Sequence, residues 1–103
     1  MAERTGILIT GGYGEVGRRL AAELAARYPG AVIVAGRDLR KAAALTALLG
    51  HGSRPLQLDV GDWAAIEAAL AGVGVVVNCV ADHDHHLLRA AIEYGLAYTD
   101  VSP

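Results

Sequence analysis

Four glycines lie within residues 11–17 of this 103-residue chain, and they constrain its fold more than any other feature. They follow a short, branched apolar run at residues 6–10. They precede a segment, residues 14–28, in which apolar residues recur about every four positions. An apolar run, a glycine turn and an amphipathic segment in that order predict a buried strand that leads through a tight turn into a helix.

The glycine segment reads TGGYGEVG from Thr10 to Gly17, and it contains both the G-x-G-x-x-G and the G-x-x-G-x-x-G spacing. Glycine permits the tight turn, lets the backbone approach a phosphate, and allows the helix to pack closely on the strand. The start of the helix adds unpaired N–H groups and a partial positive charge, which favour an anion. In this context the motif indicates binding of a dinucleotide pyrophosphate. The predicted contacts in this loop are Gly11, Gly12, Tyr13, Gly14, Glu15, Val16 and Gly17.

The rest of the chain alternates apolar runs with amphipathic segments. Strands are predicted at residues 6–10, 31–35, 55–60, 73–81 and 97–101. Helices are predicted at residues 14–28, at residues 39–49 after an Asp38 cap, after an Asp62 cap, and from 82–84 to Gly95. Their predicted inner faces contain Val16, Leu20, Leu24 and Tyr28 with Ala21 and Ala25 beside them, and then Ala42, Leu45, Leu49, Ile66, Leu70, Leu88, Ala91 and Ile92.

This alternation predicts an α/β fold. We expect a three-layer Rossmann-type parallel sheet of five strands, in the order 3-2-1-4-5, with helices on both faces. Residues 1–103 are expected to form a single dinucleotide-binding domain, because domains typically contain about 100–150 residues.

Composition excludes several classes of partner. The net charge is -2 and no basic stripe is present, which argues against nucleic acid and anionic membranes. The single cysteine, Cys79, allows no internal disulfide and fits a reducing cytoplasm. The apolar runs are too short to span a bilayer. We therefore expect a cytoplasmic protein with no nucleic-acid or membrane partner.

The end of the second predicted strand bears on the choice of cofactor. An NAD site usually has an acidic residue there to bind the ribose 2′-hydroxyl, but this strand ends in Ala35 and Gly36, followed by Arg37. A guanidinium can pair with a 2′-phosphate in bidentate geometry. NADP is therefore predicted over NAD, with Gly36 and Arg37 as contacts. The alternative is that Arg37 is a solvated loop residue. Asp38 is better placed as a helix cap than as a ribose ligand.

Two other strand ends supply candidate contacts. Asp59 and Val60 end the third predicted strand near the adenine, where Asp59 could accept a hydrogen bond from the adenine amino group or could be a cap or a solvated acid. Residues 78–81 (NCVA) end the fourth strand and are expected beside the nicotinamide ribose, with Cys79 and Val80 as the contacts. Cys79 is expected to be an apolar filler rather than a nucleophile, because the sequence implies no base for it.

The segment from Asp82 to His86 reads DHDHH and raises the possibility of a metal site. Five adjacent residues cannot all face one centre, and His83 with His86 would supply only part of a ligand set. We therefore predict no metal. The alternatives are a solvated helix start capped by Asp82 or Asp84, or a loop that contacts substrate.

Five segments resemble the N-terminal NADP-binding domain of the saccharopine dehydrogenase-like family. They are residues 7–17 (ILITGGYGEVG), 34–42 (VAGRDLRKA), 58–62 (LDVGD), 75–79 (VVVNC) and 88–102 (LRAAIEYGLAYTDVS). The last is similar to that family's AAIEAGVHYVD segment, with Tyr98 and Asp100 in register. After Cys79 the chain departs from the family, because many members continue with Ala-Gly-Pro.

The resemblance implies an NAD(P)-dependent oxidoreductase that acts at a carbon–nitrogen bond of an amino-acid-derived substrate. It also implies that the substrate residues lie mainly in a following domain. On that basis we expect this chain to be the N-terminal part of a larger two-domain enzyme. By itself it is expected to bind a dinucleotide, to be inactive and to form a homodimer through exposed sheet edges. The small-molecule substrate would be bound through the missing domain.

A second resemblance is to extended and atypical short-chain dehydrogenases, which share the TGxxGxxG spacing. Those enzymes use a Tyr-x-x-x-Lys pair, whereas Tyr94 is followed four residues later by Tyr98. A nucleotide-sensing regulatory module is a further alternative, because fold alone does not determine function.

Overall fold

The computed structural model describes residues 4–101, and within them five strands alternate with four helices. The strands are β1 (Gly6–Thr10), β2 (Val32–Gly36), β3 (Arg54–Gln57), β4 (Val73–Asn78) and β5 (Ala97–Asp100). The helices are α1 (Glu15–Arg27), α2 (Leu39–Leu49), α3 (Trp63–Ala69) and α4 (His86–Tyr94). The predicted order of elements is therefore confirmed.

The strands form one parallel sheet in the order β3-β2-β1-β4-β5, which confirms the predicted Rossmann-type topology. At its carboxyl end, Thr10 of β1 lies opposite Ala35 of β2 on one side and Asn78 of β4 on the other. The chain leaves β1 toward β2 and later crosses to β4, so the order reverses between β1 and β4. A crevice for ligands forms at such a point, outside the carboxyl ends of the strands.

Two apolar clusters hold helices to opposite faces of the sheet. Ala21 and Ala25 of α1, with Ala42 and Leu45 of α2, pack against alternate β1 and β2 residues such as Ile9. On the other face, α3 and α4 pack against the remaining strand positions; the helical residues in that cluster are Ile66, Leu87 and Ala90. Burial on both faces explains why β1 and β2 are almost continuously apolar rather than alternating.

The predicted inner face of α1 is right for Ala21 and Ala25 and wrong for Val16 and Tyr28. The helix buries Gly17, Ala21 and Ala25, whereas Val16 and Tyr28 are more than half exposed. Leu20 and Leu24 are half-buried beside the small residues. Small residues let α1 approach the sheet closely, so the larger side chains lie at the rim of the contact. In α2, Ala42 and Leu45 are buried as predicted, Thr46 joins them, and Leu49 is half-buried.

The predicted fourth strand and fourth helix are too long. β4 ends at Asn78 rather than at residue 81, because the side-chain Oδ1 of Asn78 accepts a hydrogen bond from the Val80 amide and turns the chain. The fourth helix begins at His86 rather than at 82–84, after His85 with a left-handed φ of 55°. Its buried residues are Leu87, Ala90 and Ala91; Leu88 is half-buried and Ile92 is exposed.

The remaining boundaries are closer to the prediction. β3 ends at Gln57 instead of residue 60, because Oδ1 of Asp59 accepts the Gly61 amide and closes a turn. The Asp62 cap is confirmed by its hydrogen bond from the Ala65 amide, and Ile66 and Leu70 are buried as predicted. β2 is shifted by one residue along the chain from its predicted range, and β5 ends one residue earlier than predicted.

Candidate functional site

The glycine loop lies between the end of β1 and the start of α1, and its glycines meet different constraints. Gly11 has a left-handed φ of 67°, and a Cβ there would collide with the Val80 side chain. A Cβ on Gly17 would lie 2.8 Å from the Gly11 carbonyl oxygen and 2.9 Å from the Gly12 Cα. Both neighbours are backbone, so α1 can approach the loop this closely only because residue 17 is glycine.

The first turn of α1 is exposed and has no side-chain cap. Gly14 is its N-cap and supplies no side chain, and Gly14, Glu15 and Val16 are exposed. The first N–H groups of a helix have no partner within the helix. With the helix dipole, they make this end of α1 suited to an anion.

Two grooves meet at the loop. The first groove is lined by Thr10, Gly11, Tyr13, Ala35, Gly36, Arg37, Leu58, Val60, Val80, Ala81 and His83. The second groove is lined by Gly11, Gly14, Glu15, Val16, Gly17, Cys79 and Val101. The two grooves share Gly11 and lie along the carboxyl edge of the sheet.

All the predicted contact residues except Gly12 and Asp59 line one of these grooves. Gly12 is buried, and a Cβ there would meet the side chains of Val34 and Ile9, so its position is tied to packing under the loop. Asp59 lies instead beside the Asp62 end of α3, where its carboxylate accepts the Gly61 amide. The structure thus places Asp59 at a turn beside Arg37, and its contact with the adenine stays a prediction.

At the end of β2, Arg37 is highly exposed, with 81% of its side chain accessible. Its Nη2 lies 3.9 Å from Oδ1 of Asp59, an exposed ion pair of a kind that contributes at most about 1 kcal/mol. The Asp38 carboxylate accepts the amides of Arg40 and Lys41, which confirms it as the cap of α2. The guanidinium therefore remains available to an incoming anion, and no acidic side chain stands at Ala35 or Gly36.

The Tyr13 side chain reaches across the first groove from the loop to the end of β2. A Cβ on Gly36 would collide with its hydroxyl, so Gly36 provides the space in which the phenol lies. The Lys41 ammonium stands 5.9 Å from the centre of the ring, within the range of a cation–π contact. Tyr13 and Lys41 thus bring a polar group and a positive charge to the Arg37 end of the groove.

A polar network joins β1, β4 and β5 at the carboxyl edge of the sheet. Asn78 belongs to the stretch that was expected beside the nicotinamide ribose, but its hydrogen bonds were not predicted. Asn78 is fully buried, and its Oδ1 accepts the Thr10 hydroxyl at 2.6 Å. Its Nδ2 donates to the Tyr98 hydroxyl at 3.3 Å and to Oδ2 of Asp100 at 3.4 Å, and that hydroxyl donates to the same carboxylate oxygen at 3.1 Å. The available signal was an asparagine at the end of an otherwise apolar strand.

Burial and the Asp100 carboxylate raise the pKa of the Cys79 thiol, in that order of importance. The pKa of the Tyr98 phenol is also raised, mainly by burial, with the hydrogen bond from Asn78 acting in the opposite direction. Both groups therefore keep their protons at neutral pH. A protonated thiol is a poor nucleophile, which agrees with the prediction that Cys79 is a filler.

The histidine segment contacts the turn after β3 and the start of α3. The Nδ1 of His86 lies 2.9 Å from the Val60 carbonyl oxygen, so this nitrogen is the protonated one. The ring also makes an edge-to-face contact with Trp63, and the Leu87 amide donates to Asp82, one of the two predicted caps. Within residues 4–101, no group of three or more potential ligands could hold a metal ion.

The sequence of residues 7–103 matches the family described as the saccharopine dehydrogenase NADP binding domain. The chain belongs to this family. The chain is also 44% identical over 80 residues to a polyketide synthase, ThaG, from Burkholderia thailandensis, a match that covers 69% of this chain and 1% of that protein.

Solved structures of two oxidoreductases superpose on this chain. A saccharopine dehydrogenase (L-Glu forming) from Saccharomyces cerevisiae superposes with a TM-score of 0.70 at 26% identity, covering 93% of this chain and 21% of that one. An NADPH-dependent quinone oxidoreductase from Escherichia coli gives a TM-score of 0.67 at 30% identity, covering 89% and 34%. The chain thus spans about a third or less of the length of these proteins.

As a saccharopine dehydrogenase NADP binding domain, the chain binds a nicotinamide dinucleotide, and the glycine loop and crevice have the form that such binding needs. None of the helices in residues 4–101 has the length and hydropathy required to cross a membrane.

Proposed function

We propose that this chain is the NADP(H)-preferring cofactor domain of an oxidoreductase that transfers hydride at a carbon–nitrogen bond of an amino-acid-derived substrate. The cofactor, when bound, supplies the hydride chemistry, and a further domain completes the substrate site. The observation that carries the cofactor preference is the exposed Arg37 at the end of β2, where no acidic side chain occupies Ala35 or Gly36.

The two grooves suit the two halves of the cofactor. The first groove would take the adenosine, with Arg37 toward the 2′-phosphate and Val60 toward the base. The open start of α1 would take the pyrophosphate, and the second groove leads from there to Cys79. Gly14 stands where a Cβ would come between the backbone and the phosphates.

Electrostatics support the phosphate assignment. Hydrogen bonds to charged groups contribute about 1.5–3 kcal/mol, whereas the exposed Arg37–Asp59 pair is worth at most about 1 kcal/mol. A 2′-phosphate therefore competes well with Asp59 for the guanidinium. The Lys41 ammonium near the Tyr13 ring adds a second positive charge on the same side.

Calorimetric titration of the 103-residue chain with NADPH and with NADH tests this proposal. We expect tighter binding of NADPH, and in Arg37→Ala we expect that preference to fall by about 10- to 100-fold, toward the affinity for NADH. Arg27→Ala is the matched control, because Arg27 lies in the last turn of α1, away from both grooves.

The possible results separate the parts of the proposal. Equal binding of NADPH and NADH by the unmodified chain would overturn the NADP preference. An equal loss in Arg27→Ala and Arg37→Ala would mean that general charge, rather than a site at β2, governs affinity. A lack of binding to either nucleotide would contradict the proposed cofactor site itself.

A further inference from the structure

The last two residues of β2 face opposite sides of the sheet. Ala35 is fully buried in the apolar cluster that packs against α3 and α4, whereas Val34 belongs to the cluster on the α1 side. Because side chains alternate along a strand, position 36 faces the α1 side, as Val34 does. An acidic side chain that reaches the ribose from the end of β2, as in an NAD site, would therefore have to stand at position 36.

The space in front of Gly36 is occupied by the phenol of Tyr13. A Cβ on Gly36 would lie 2.8 Å from the Cε1 and Cζ carbons of the Tyr13 ring, and closer still to its hydroxyl oxygen. Any longer side chain at position 36 would meet the phenol unless the ring turned away. A side chain of the glycine loop thus stands where the acid of an NAD site would stand.

The Tyr13 hydroxyl is within reach of a ligand and has a proton to donate. Tyr13 is half-buried and lines the first groove together with Gly36 and Arg37. Within residues 4–101 its hydroxyl has no hydrogen-bond partner, so its proton is not committed to another group of the chain. Tyr13 therefore presents a free donor to the same groove as the Arg37 guanidinium.

We propose that Tyr13 is a specificity-determining residue of the cofactor site, whose hydroxyl donates to the 2′-phosphate from the place that an acidic side chain fills in an NAD site. This inference rests on the proposed function, which places the 2′-phosphate at Arg37. A phosphate has three strong acceptor oxygens, so it can bond the guanidinium and the phenol together. Arg37 then supplies the positive charge, while Tyr13 supplies a directed donor and excludes an acid.

A phenol and a carboxylate at this place select different cofactors. A carboxylate accepts a hydrogen bond from the ribose 2′-hydroxyl of NAD and repels a phosphate. A phenol donates to a phosphate, and hydrogen bonds to charged groups are about twice as strong as those between neutral groups. An acid at position 36 would therefore favour NAD only once the phenol had been removed, which couples positions 13 and 36 in a way that can be measured.

The test measures the dissociation constants of NADPH and NADH by calorimetry for variants of the 103-residue chain. Tyr13→Phe removes the hydroxyl and keeps the ring. Gly36→Asp is made alone and together with Tyr13→Ala, which clears the space, and Tyr13→Ala alone completes the cycle. Tyr28→Phe is the matched control, because Tyr28 is the C-cap of α1 and lines neither the first nor the second groove. Thermal unfolding shows whether each variant is folded.

We expect Tyr13→Phe to lower the preference for NADPH over NADH by about tenfold, the effect of one hydrogen bond to a charged group. Tyr28→Phe should leave the preference unchanged. Gly36→Asp should gain little affinity for NADH while Tyr13 is present. In the Tyr13→Ala background the same change should raise NADH affinity by about tenfold, because the carboxylate can then reach the ribose.

An unaltered preference in Tyr13→Phe would overturn the inference while leaving the NADP proposal in place, because Arg37→Ala measures that proposal independently. An equal gain in NADH affinity from Gly36→Asp with and without the Tyr13 phenol would also overturn it, since the phenol would not then fill the place of the acid. Equal binding of NADPH and NADH by the unmodified chain would remove the preference itself, and both proposals would fail.

Discussion

Gly14 and Gly17 of the loop differ in what an added side chain would meet. Around Gly14 the nearest atom to a Cβ is the Gly11 carbonyl oxygen at 3.6 Å, an ordinary contact. Around Gly17 the contacts are backbone atoms at under 3 Å. The space at Gly14 is open to the ligand, whereas the space at Gly17 is filled by the protein.

We predict opposite effects for Gly14→Ser and Gly17→Ala. Serine is a preferred N-cap and Gly14 has an extended φ of -75°, so Gly14→Ser should keep or raise thermal stability. Its side chain should nonetheless weaken NADPH binding by about tenfold, the effect of losing one charged hydrogen bond. Gly17→Ala should destabilise the domain by about 1–3 kcal/mol, because backbone atoms must move.

Urea denaturation and calorimetric titration of the same two samples check this pair. Full NADPH affinity in Gly14→Ser would mean that the phosphates do not approach Gly14. An unchanged unfolding free energy in Gly17→Ala would contradict the close contact between α1 and the loop.

The helices differ in what accepts the hydrogen bonds of the backbone N–H groups in their first turns. The N-caps of α2 and α3 are Asp38 and Asp62, whose carboxylates accept hydrogen bonds from backbone amides. α1 begins at Gly14, which has no side chain to offer, and its first turn faces the grooves. In α2 and α3 an aspartate of the chain thus accepts the first N–H groups, whereas the first N–H groups of α1 have no side-chain cap at the place where an anion is expected.

The cap of α2 should be a measurable part of the stability of that helix. Asp38→Ala leaves the amides of Arg40 and Lys41 without their shared acceptor and should cost about 1 kcal/mol of unfolding free energy. Asp38→Ser, which retains a capping oxygen, should recover most of the loss. Urea denaturation of the three proteins measures the difference, and equal stability of Asp38→Ala and the unmodified chain would contradict the capping role.

The sheet as a whole ends in β3 on one side and β5 on the other. β5 is short, with Ala97, Thr99 and Asp100 exposed, and a large apolar side chain, Ile92 of α4, is 72% exposed. Exposed strand edges with apolar neighbours favour association between chains.

We therefore predict that the chain forms a dimer through the β5 edge at high concentration. Lysine on an edge strand opposes pairing, so Thr99→Lys should shift the equilibrium toward monomer without lowering the unfolding temperature. Sedimentation equilibrium over a concentration series measures the monomer–dimer equilibrium of the unmodified chain and of Thr99→Lys. A monodisperse monomer at high concentration in the unmodified chain would contradict this prediction.

Local signals in the sequence determined the order of the elements and much of the structure around the glycine loop. The glycine loop, the Asp38 and Asp62 caps and the position of Arg37 after β2 all depend on residues close together in the chain, and their structures agree with the pattern. A short-range pattern is enough there, because capping, tight turns and strand ends are decided by a few consecutive residues.

Only the tertiary structure decided which face of α1 is buried and which residues meet at the far end of the crevice. Val16 continues the apolar period of α1, yet it is exposed because Gly17 allows the closest approach. Asn78 and Asp100 are 22 residues apart and meet because β4 and β5 pair in one particular register. Such contacts are set by the pairing and packing of whole elements, and no local periodicity encodes them.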